Sequence, residues 1–227
     1  MTRITEHLDT VVSRVANAAN VANRDPESIE ILAVSKRHSV ESIVSVAESG
    51  QRSFGENYAD EGVRKVQAIA RPDLSWHFIG AIQSNKTRSI ATHFDWVHTV
   101  DRIKIAQRLS DQRGEQLAPL SVCIQVNVDE EPQKAGVAVG QIASLAQSIS
   151  ELPNLRLRGL MCLPRARDSL AEQRQPFAKL AALFAELAET YPEVDTLSMG
   201  MSGDLEAAIL EGATIVRVGT AIFGPRP

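Results

Sequence analysis

A lysine closes an apolar run near the start of the chain, Ile31-Leu32-Ala33-Val34-Ser35-Lys36. The run reads as a buried strand. An amine at its end is either carried out to solvent on its own stem or held against the interior. In the second case burial favours the neutral amine, the form that condenses with an aldehyde. Two late segments have the composition of anion-binding turns. Met199-Gly200-Met201-Ser202-Gly203-Asp204 runs straight into the helical pattern 205–210, with Ser202 placed to cap it, and Val218-Gly219-Thr220-Ala221 offers a second glycine–hydroxyl pair. Glycines let backbone N–H groups approach an anion at such turns. Between the two lies Arg217, flanked by Val216 and Val218. Its guanidinium needs a planar acceptor or a carboxylate, and Glu56 is a candidate partner.

The elements that must position these groups alternate along the chain. Strand-like runs occur at 31–36, 53–57, 76–80, 96–100, 121–128, 157–163, 195–199 and 214–219, and helical apolar spacing occurs at 2–23, 40–49, 139–149 and 177–190. Short connections between strands and helices indicate βαβ units and a parallel sheet. Eight such strands predict a closed (β/α)8 TIM-type barrel, α/β in class. An open doubly wound sheet is the alternative. No linker or solenoid repeat interrupts the pattern, so residues 1–227 are expected to form a single domain, with 1–25 an extra N-terminal helix. Little sequence follows the eighth strand, and that leading helix is expected to cover the place of a final one.

Composition narrows the classes of function. The chain is 44% hydrophobic and 23% charged with a formal net charge of −4, and that acidity argues against a nucleic-acid partner. Cys123 and Cys162 each sit inside an apolar run and read as core residues of a reducing compartment. His93 and His98 flank the fourth strand without a third ligand at useful spacing, so no metal is expected. No apolar stretch is long enough to span a bilayer and the N-terminus is charged throughout, which predicts a cytoplasmic protein without membrane association. No long exposed apolar segment demands a partner, so a monomer is the default. Asp129-Glu130-Glu131 reads as a solvated loop. Lys134 is either a surface lysine or a residue of the barrel mouth.

In a (β/α)8 barrel the active site lies at the carboxyl ends of the strands, and phosphate often binds after strands seven and eight. An amine after strand one, a phosphate site and an arginine beside it therefore outline an aldehyde-bearing phosphate. Pyridoxal 5'-phosphate fits: its aldehyde would form a covalent aldimine on Lys36, its phosphate would sit on Ser202, Gly219 and Thr220, and its ring nitrogen would accept from Arg217. A class I aldolase acting on a sugar phosphate satisfies the same geometry.

Several runs strengthen the first reading. Ala33-Val34-Ser35-Lys36, Phe54-Gly55-Glu56-Asn57-Tyr58, Trp76-His77-Phe78-Ile79-Gly80, Gln83-Ser84-Asn85-Lys86, Arg158-Gly159-Leu160-Met161, Leu197 to Ser202 and Val216 to Gly224 occur in that order. Together they resemble the pyridoxal phosphate homeostasis protein family, single-domain relatives of the alanine racemase N-terminal barrel, over nearly the whole chain after residue 30. The resemblance implies that Lys36 carries the aldimine, that Arg217 contacts the pyridine nitrogen and that Ser202, Gly219 and Thr220 hold the phosphate. It also implies that Asn57, His77 and Met199 line the pocket. Two departures from the family pattern stand at Arg37-His38, after the lysine, and at Gly203. Of these, Arg37 is placed to alter access to Lys36.

Bound cofactor does not establish catalysis. An arginine facing the pyridine nitrogen stays protonated, so it leaves that nitrogen unprotonated and the electron sink weak. Racemases add a second acid–base group on the far face of the carbanion, and by the resemblance that group comes from a domain this chain lacks. The expected function is therefore a carrier that holds pyridoxal phosphate in intracellular homeostasis without turnover, with PLP-dependent apoenzymes as possible recipients. The alternative is a racemase-like enzyme using His77 or Tyr58 as the second base.

Overall fold

In each strand side chains alternate between the barrel interior and the helical shell, and that period of two is what the apolar runs encode. The computed structural model describes residues 3–225. Strands β1 (Glu30–Val34), β2 (Ser53–Glu56), β3 (Ser75–Phe78), β4 (Trp96–Val100), β5 (Leu120–Val126), β6 (Leu155–Cys162), β7 (Thr196–Met201) and β8 (Ile215–Val218) pair in chain order. All the pairings are parallel, and β8 closes on β1 through Glu30–Ile215 to Ala33–Val218. The closed (β/α)8 barrel is thus the observed fold, and the open sheet is excluded.

The helices are α1 (Arg3–Val21), α2 (Val40–Glu48), α3 (Ala59–Ile69), α4 (Thr87–His93), α5 (Ile103–Gln112), α6 (Ile142–Ser150), α7 (Leu170–Thr190), α8 (Leu205–Leu210) and α9 (Thr220–Phe223). The expected helix over 2–23 is α1, and Thr2 lies outside the described residues. Helix α7 starts two turns before residue 177. A reciprocal Ser169–Glu172 capping box begins it, and Pro176 inside it had hidden those turns. Among the described residues no helix is long and apolar enough to cross a membrane.

The outward strand faces, with Ala33, Phe54, Phe78, Val97 and Val216 fully or almost fully buried, form one continuous core with the helices. The inward faces are different. Only Leu32, Val34, Ile79 and Ile215 form an apolar cluster there, whereas barrel interiors are usually filled by branched aliphatic residues. Polar side chains occupy much of the remainder, as described below.

Helix α1 buries Leu8, Val11, Val15, Ala18 and Ala19 on one stripe and packs against α2, α8 and α9. Because α9 is a single turn, α1 covers the barrel flank that a longer helix after β8 would cover. Its polar edge reaches the late loops: Arg14 forms a forked ion pair with Glu206 at 2.7 and 2.8 Å and donates to the Ser202 carbonyl at 3.0 Å. Leu8 is 5% exposed, whereas Val12, one turn on and at the edge of the buried stripe, is 48% exposed. Leu8→Ala is expected to cost about 2–5 kcal/mol in urea unfolding, and Val12→Ala less than about 0.5 kcal/mol.

Candidate functional site

The strand expected over 31–36 ends at Val34, and Lys36 stands in the turn that follows, closed by the His38 N–H donating to the Ser35 carbonyl at 3.0 Å. That turn borders a cavity of about 290 Å³ at the carboxyl ends of the strands. Six of the sequence-predicted residues line it: Lys36, Asn57, Ser202, Arg217, Gly219 and Thr220. The other walls are Val34 and Ile79 from the barrel interior, and His38, Leu163, Met201 and Gly203 from the loops. His38 stacks on Phe223 of α9 with ring centroids 4.8 Å apart. Arg37 turns away from the cavity, its guanidinium 5.6 Å from the Tyr58 ring and donating to the Tyr58 hydroxyl at 3.3 Å.

Met199 does not line this cavity. It is fully buried in the outer core, and Ser198 before it faces inward. Strict alternation fails next: Ser198 pairs with Ile215 but Met201 pairs with Arg217, three residues of β7 against two of β8. This bulge rests on Gly200, whose φ is +89° and where a Cβ would stand 2.6 Å from the Ala208 side chain. It brings Met201 to the cavity. Ser202 is not the cap of α8 either. Asp204 stands at the N-cap, accepting from the Met201 N–H at 2.6 Å, and burial pushes its carboxyl upward.

Arg217 is 3% exposed and does not meet Glu56. Inward-facing Arg217 and outward-facing Glu56 lie on opposite sides of the barrel wall. Arg217 donates instead to Ser198 Oγ at 2.7 Å and to the Cys162 carbonyl at 2.8 Å, both uncharged, and among the described residues no carboxylate forms an ion pair with it. Burial lowers its pKa, yet a guanidinium stays charged in a protein.

His77 lies below the cavity. Its Nδ1 is 3.0 Å from His98 Nε2, His98 Nδ1 is 2.8 Å from Ser198 Oγ, and His77 Nε2 is 3.0 Å from Ser75 Oγ. Arg217 can only donate, so Ser198 Oγ accepts from it; a hydroxyl has a second lone pair, so Ser198 either donates to His98 Nδ1 or accepts from it, and the two imidazoles take the tautomers that match. Burial keeps both imidazoles neutral, lowering His77 to about 3 and holding His98 well below its usual range, with His77 and Arg217 as further causes for His98. The contact of His77 with Glu30 at 3.8 Å is then not an ion pair.

The remaining candidates are structural. Asp129 is not solvated: it accepts from the Arg165 N–H at 2.7 Å and from Arg167 at 2.5 Å, tying the loop after β5 to the loop after β6. Lys134 pairs with Glu131 at 2.7 Å. Cys123 and Cys162 are free and buried, and burial pushes both thiols up to about 12.

Comparison with known proteins identifies the chain at this point. Residues 7–227 match the model of the alanine racemase N-terminal domain. Proteins named pyridoxal phosphate homeostasis protein are 52% identical in Vibrio alginolyticus and 48% in Escherichia coli, over 100% of this chain and 99% and 98% of theirs. The chain belongs to the pyridoxal phosphate homeostasis protein family. PipY of Synechococcus elongatus, solved with PLP bound, superposes with a TM-score of 0.83 at 36% identity over 98% of this chain and 100% of its own. An alanine racemase of Clostridium difficile shares the fold, with a TM-score of 0.71 at 16% identity over 98% of this chain and 57% of its own.

The neutral His77 has a measurable consequence in this family member. A folded-state pKa of about 3 against about 6.5 unfolded means that its contribution is complete above pH 6.5 and is lost as pH falls toward 3, at about 1.4 kcal/mol per unit. Gln keeps one acceptor and one donor without titrating. Urea unfolding at pH 7.5 and pH 5 should show wild type losing about 2 kcal/mol more than His77→Gln.

Proposed function

We propose that this protein binds pyridoxal 5'-phosphate in the cavity at the carboxyl ends of the strands, holds it through Lys36 as an aldimine, and serves its intracellular homeostasis without turning over a substrate. The observation that carries the reading is the buried guanidinium of Arg217, held by two neutral acceptors on the wall of the cavity that Lys36 also lines. A guanidinium has five donors, two of them on the Ser198 hydroxyl and the Cys162 carbonyl, and an acceptor such as a pyridine nitrogen would take another. Pyridoxal phosphate supplies an aldehyde, a ring acceptor and a dianion, and the residues present fit all three. Lys36 would take the aldehyde, Arg217 the ring nitrogen, and Ser202, Gly219 and Thr220 the phosphate, and all five line the cavity. Asn57 adds a further polar contact: its buried Oδ1 has no hydrogen-bond partner within the protein. His77 and Met199 act from beneath and behind the wall, His77 through the chain that orients Arg217.

The carrier reading is supported by where the acid–base groups lie. His77 is buried and neutral, and Tyr58 does not line the cavity, so neither faces a bound substrate as the second base of a racemase. His38 does line it, and that favours one competing reading, an enzyme that exchanges the α-proton of an amino acid. The protein is further proposed to be a cytoplasmic monomer of one domain that passes the cofactor to PLP-dependent apoenzymes, with no nucleic-acid or membrane partner.

Purified protein incubated with pyridoxal phosphate should develop the visible absorbance band of a lysine aldimine, and Lys36→Ala should abolish it. A wild-type protein that gives no band would sink the reading. Amino acids incubated with the loaded protein in deuterated water should keep their α-protons. Exchange that disappears in His38→Phe would replace the carrier with the enzyme.

A further inference from the structure

Lys65 of α3 is a lysine in a core position, 5% exposed, on the outer side of the barrel wall. Its three ammonium donors are all used: on the Ser35 carbonyl at 2.8 Å, on Glu56 Oε1 at 2.8 Å and on Glu61 Oε1 at 2.6 Å. Two of these partners lead to the backbone on either side of Lys36. Ser35 is the preceding residue, and its hydroxyl also donates to Glu56 Oε1 at 2.6 Å. Glu61 accepts the N–H of Arg37, the following residue, at 2.5 Å. One ammonium therefore ties both neighbours of Lys36 to α3.

The turn needs such a restraint. Arg37 has φ +65°, a left-handed conformation that a residue with a side chain adopts only where its surroundings impose it. Helix α3 comes close enough to impose it because residue 62 is glycine: a Cβ there would meet Phe94 at 2.6 Å and Glu56 at 3.1 Å. Neutralising Glu56 alone would not require this arrangement, since a buried ion pair is commonly replaced by packed apolar side chains without loss of stability.

We propose that Lys65, with Glu61, is a positioning residue for Lys36: it holds the strained turn in the conformation that presents the Lys36 amine to the cavity. The inference rests on the reading that Lys36 carries the aldehyde of pyridoxal phosphate. Misplacing a reacting group by about an ångström costs up to about a hundredfold in rate, so loss of the clamp should appear in the rate of condensation rather than only in stability.

The test compares wild type, Lys65→Met and Glu61→Ala by two measurements. Amide hydrogen exchange of Arg37, in protein without cofactor, should be faster by about tenfold or more in both variants, because its acceptor is lost or released. The rate at which the aldimine band appears on mixing with pyridoxal phosphate should fall about tenfold or more in both variants. Glu61→Ala leaves the buried Lys65–Glu56 pair intact, so it carries the test where Lys65→Met fails to fold. A wild-type band reproduced at the same rate by a folded variant overturns the positioning role and leaves the cofactor reading standing. Absence of the band in wild type overturns the cofactor reading and this inference with it.

Discussion

Arg217 places a permanent charge on the inner face of a parallel barrel, where among the described residues no carboxylate forms an ion pair with it, and its polar neighbours follow from that. A guanidinium has five N–H donors and no acceptor, so whatever surrounds it must accept. The β6 backbone gives one carbonyl, Cys162, and the β7 side chain gives one hydroxyl, Ser198. That hydroxyl also bonds His98 on β4, which bonds His77 on β3, which bonds Ser75. One charge on β8 thus stands at the head of a run of inward polar residues on β7, β4 and β3. An aliphatic residue at any of those positions would strand a buried donor or acceptor, at a cost of about 1–3 kcal/mol.

Much of this architecture was legible in the sequence because it rests on period. All eight strands announced themselves by strand-like runs, and the alternation of Val216, Arg217 and Val218 is that of a strand whose valines face the outer core and whose arginine faces inward with Ile215. The residues that escaped are those where period breaks. The family resemblance placed Met199 on the pocket wall, and a bulge at Gly200 exchanges Met199 for Met201 without changing composition. Ser202 had the right chemistry for a cap, but Asp204 is two residues nearer the helix and takes the role. Glu56 seemed a partner for Arg217 only because sequence does not say which side of the wall a strand-ending residue faces.

Helix α3 was not among the helices read from the sequence, although Val63, Val66 and Ile69 recur at helical spacing and pack on the core. Its most buried positions, Ala59, Gly62 and Lys65, include a glycine and a cation. Those two are what let α3 reach the turn around Lys36, the glycine by its lack of bulk and the cation by its hydrogen bonds. His38 was noted only as a departure from a family pattern, and nothing in its neighbours foretold the stacking on Phe223 that brings its ring to the cavity wall.

The buried histidines invite comparison with proton relays, and the group at their head argues otherwise. A relay needs a terminal group that gives and takes a proton near neutral pH. Here the terminus at the cavity is a guanidinium that keeps its protons. Burial keeps both imidazoles neutral in either matching pair of tautomers, and the fixed charge of Arg217 beside His98 adds to that. What the chain transmits is orientation: Ser198 Oγ and the Cys162 carbonyl fix the plane of Arg217. A fixed donor there withholds the proton that would make a bound pyridine nitrogen a strong electron sink, which suits a protein that retains an aldehyde cofactor better than one that uses it.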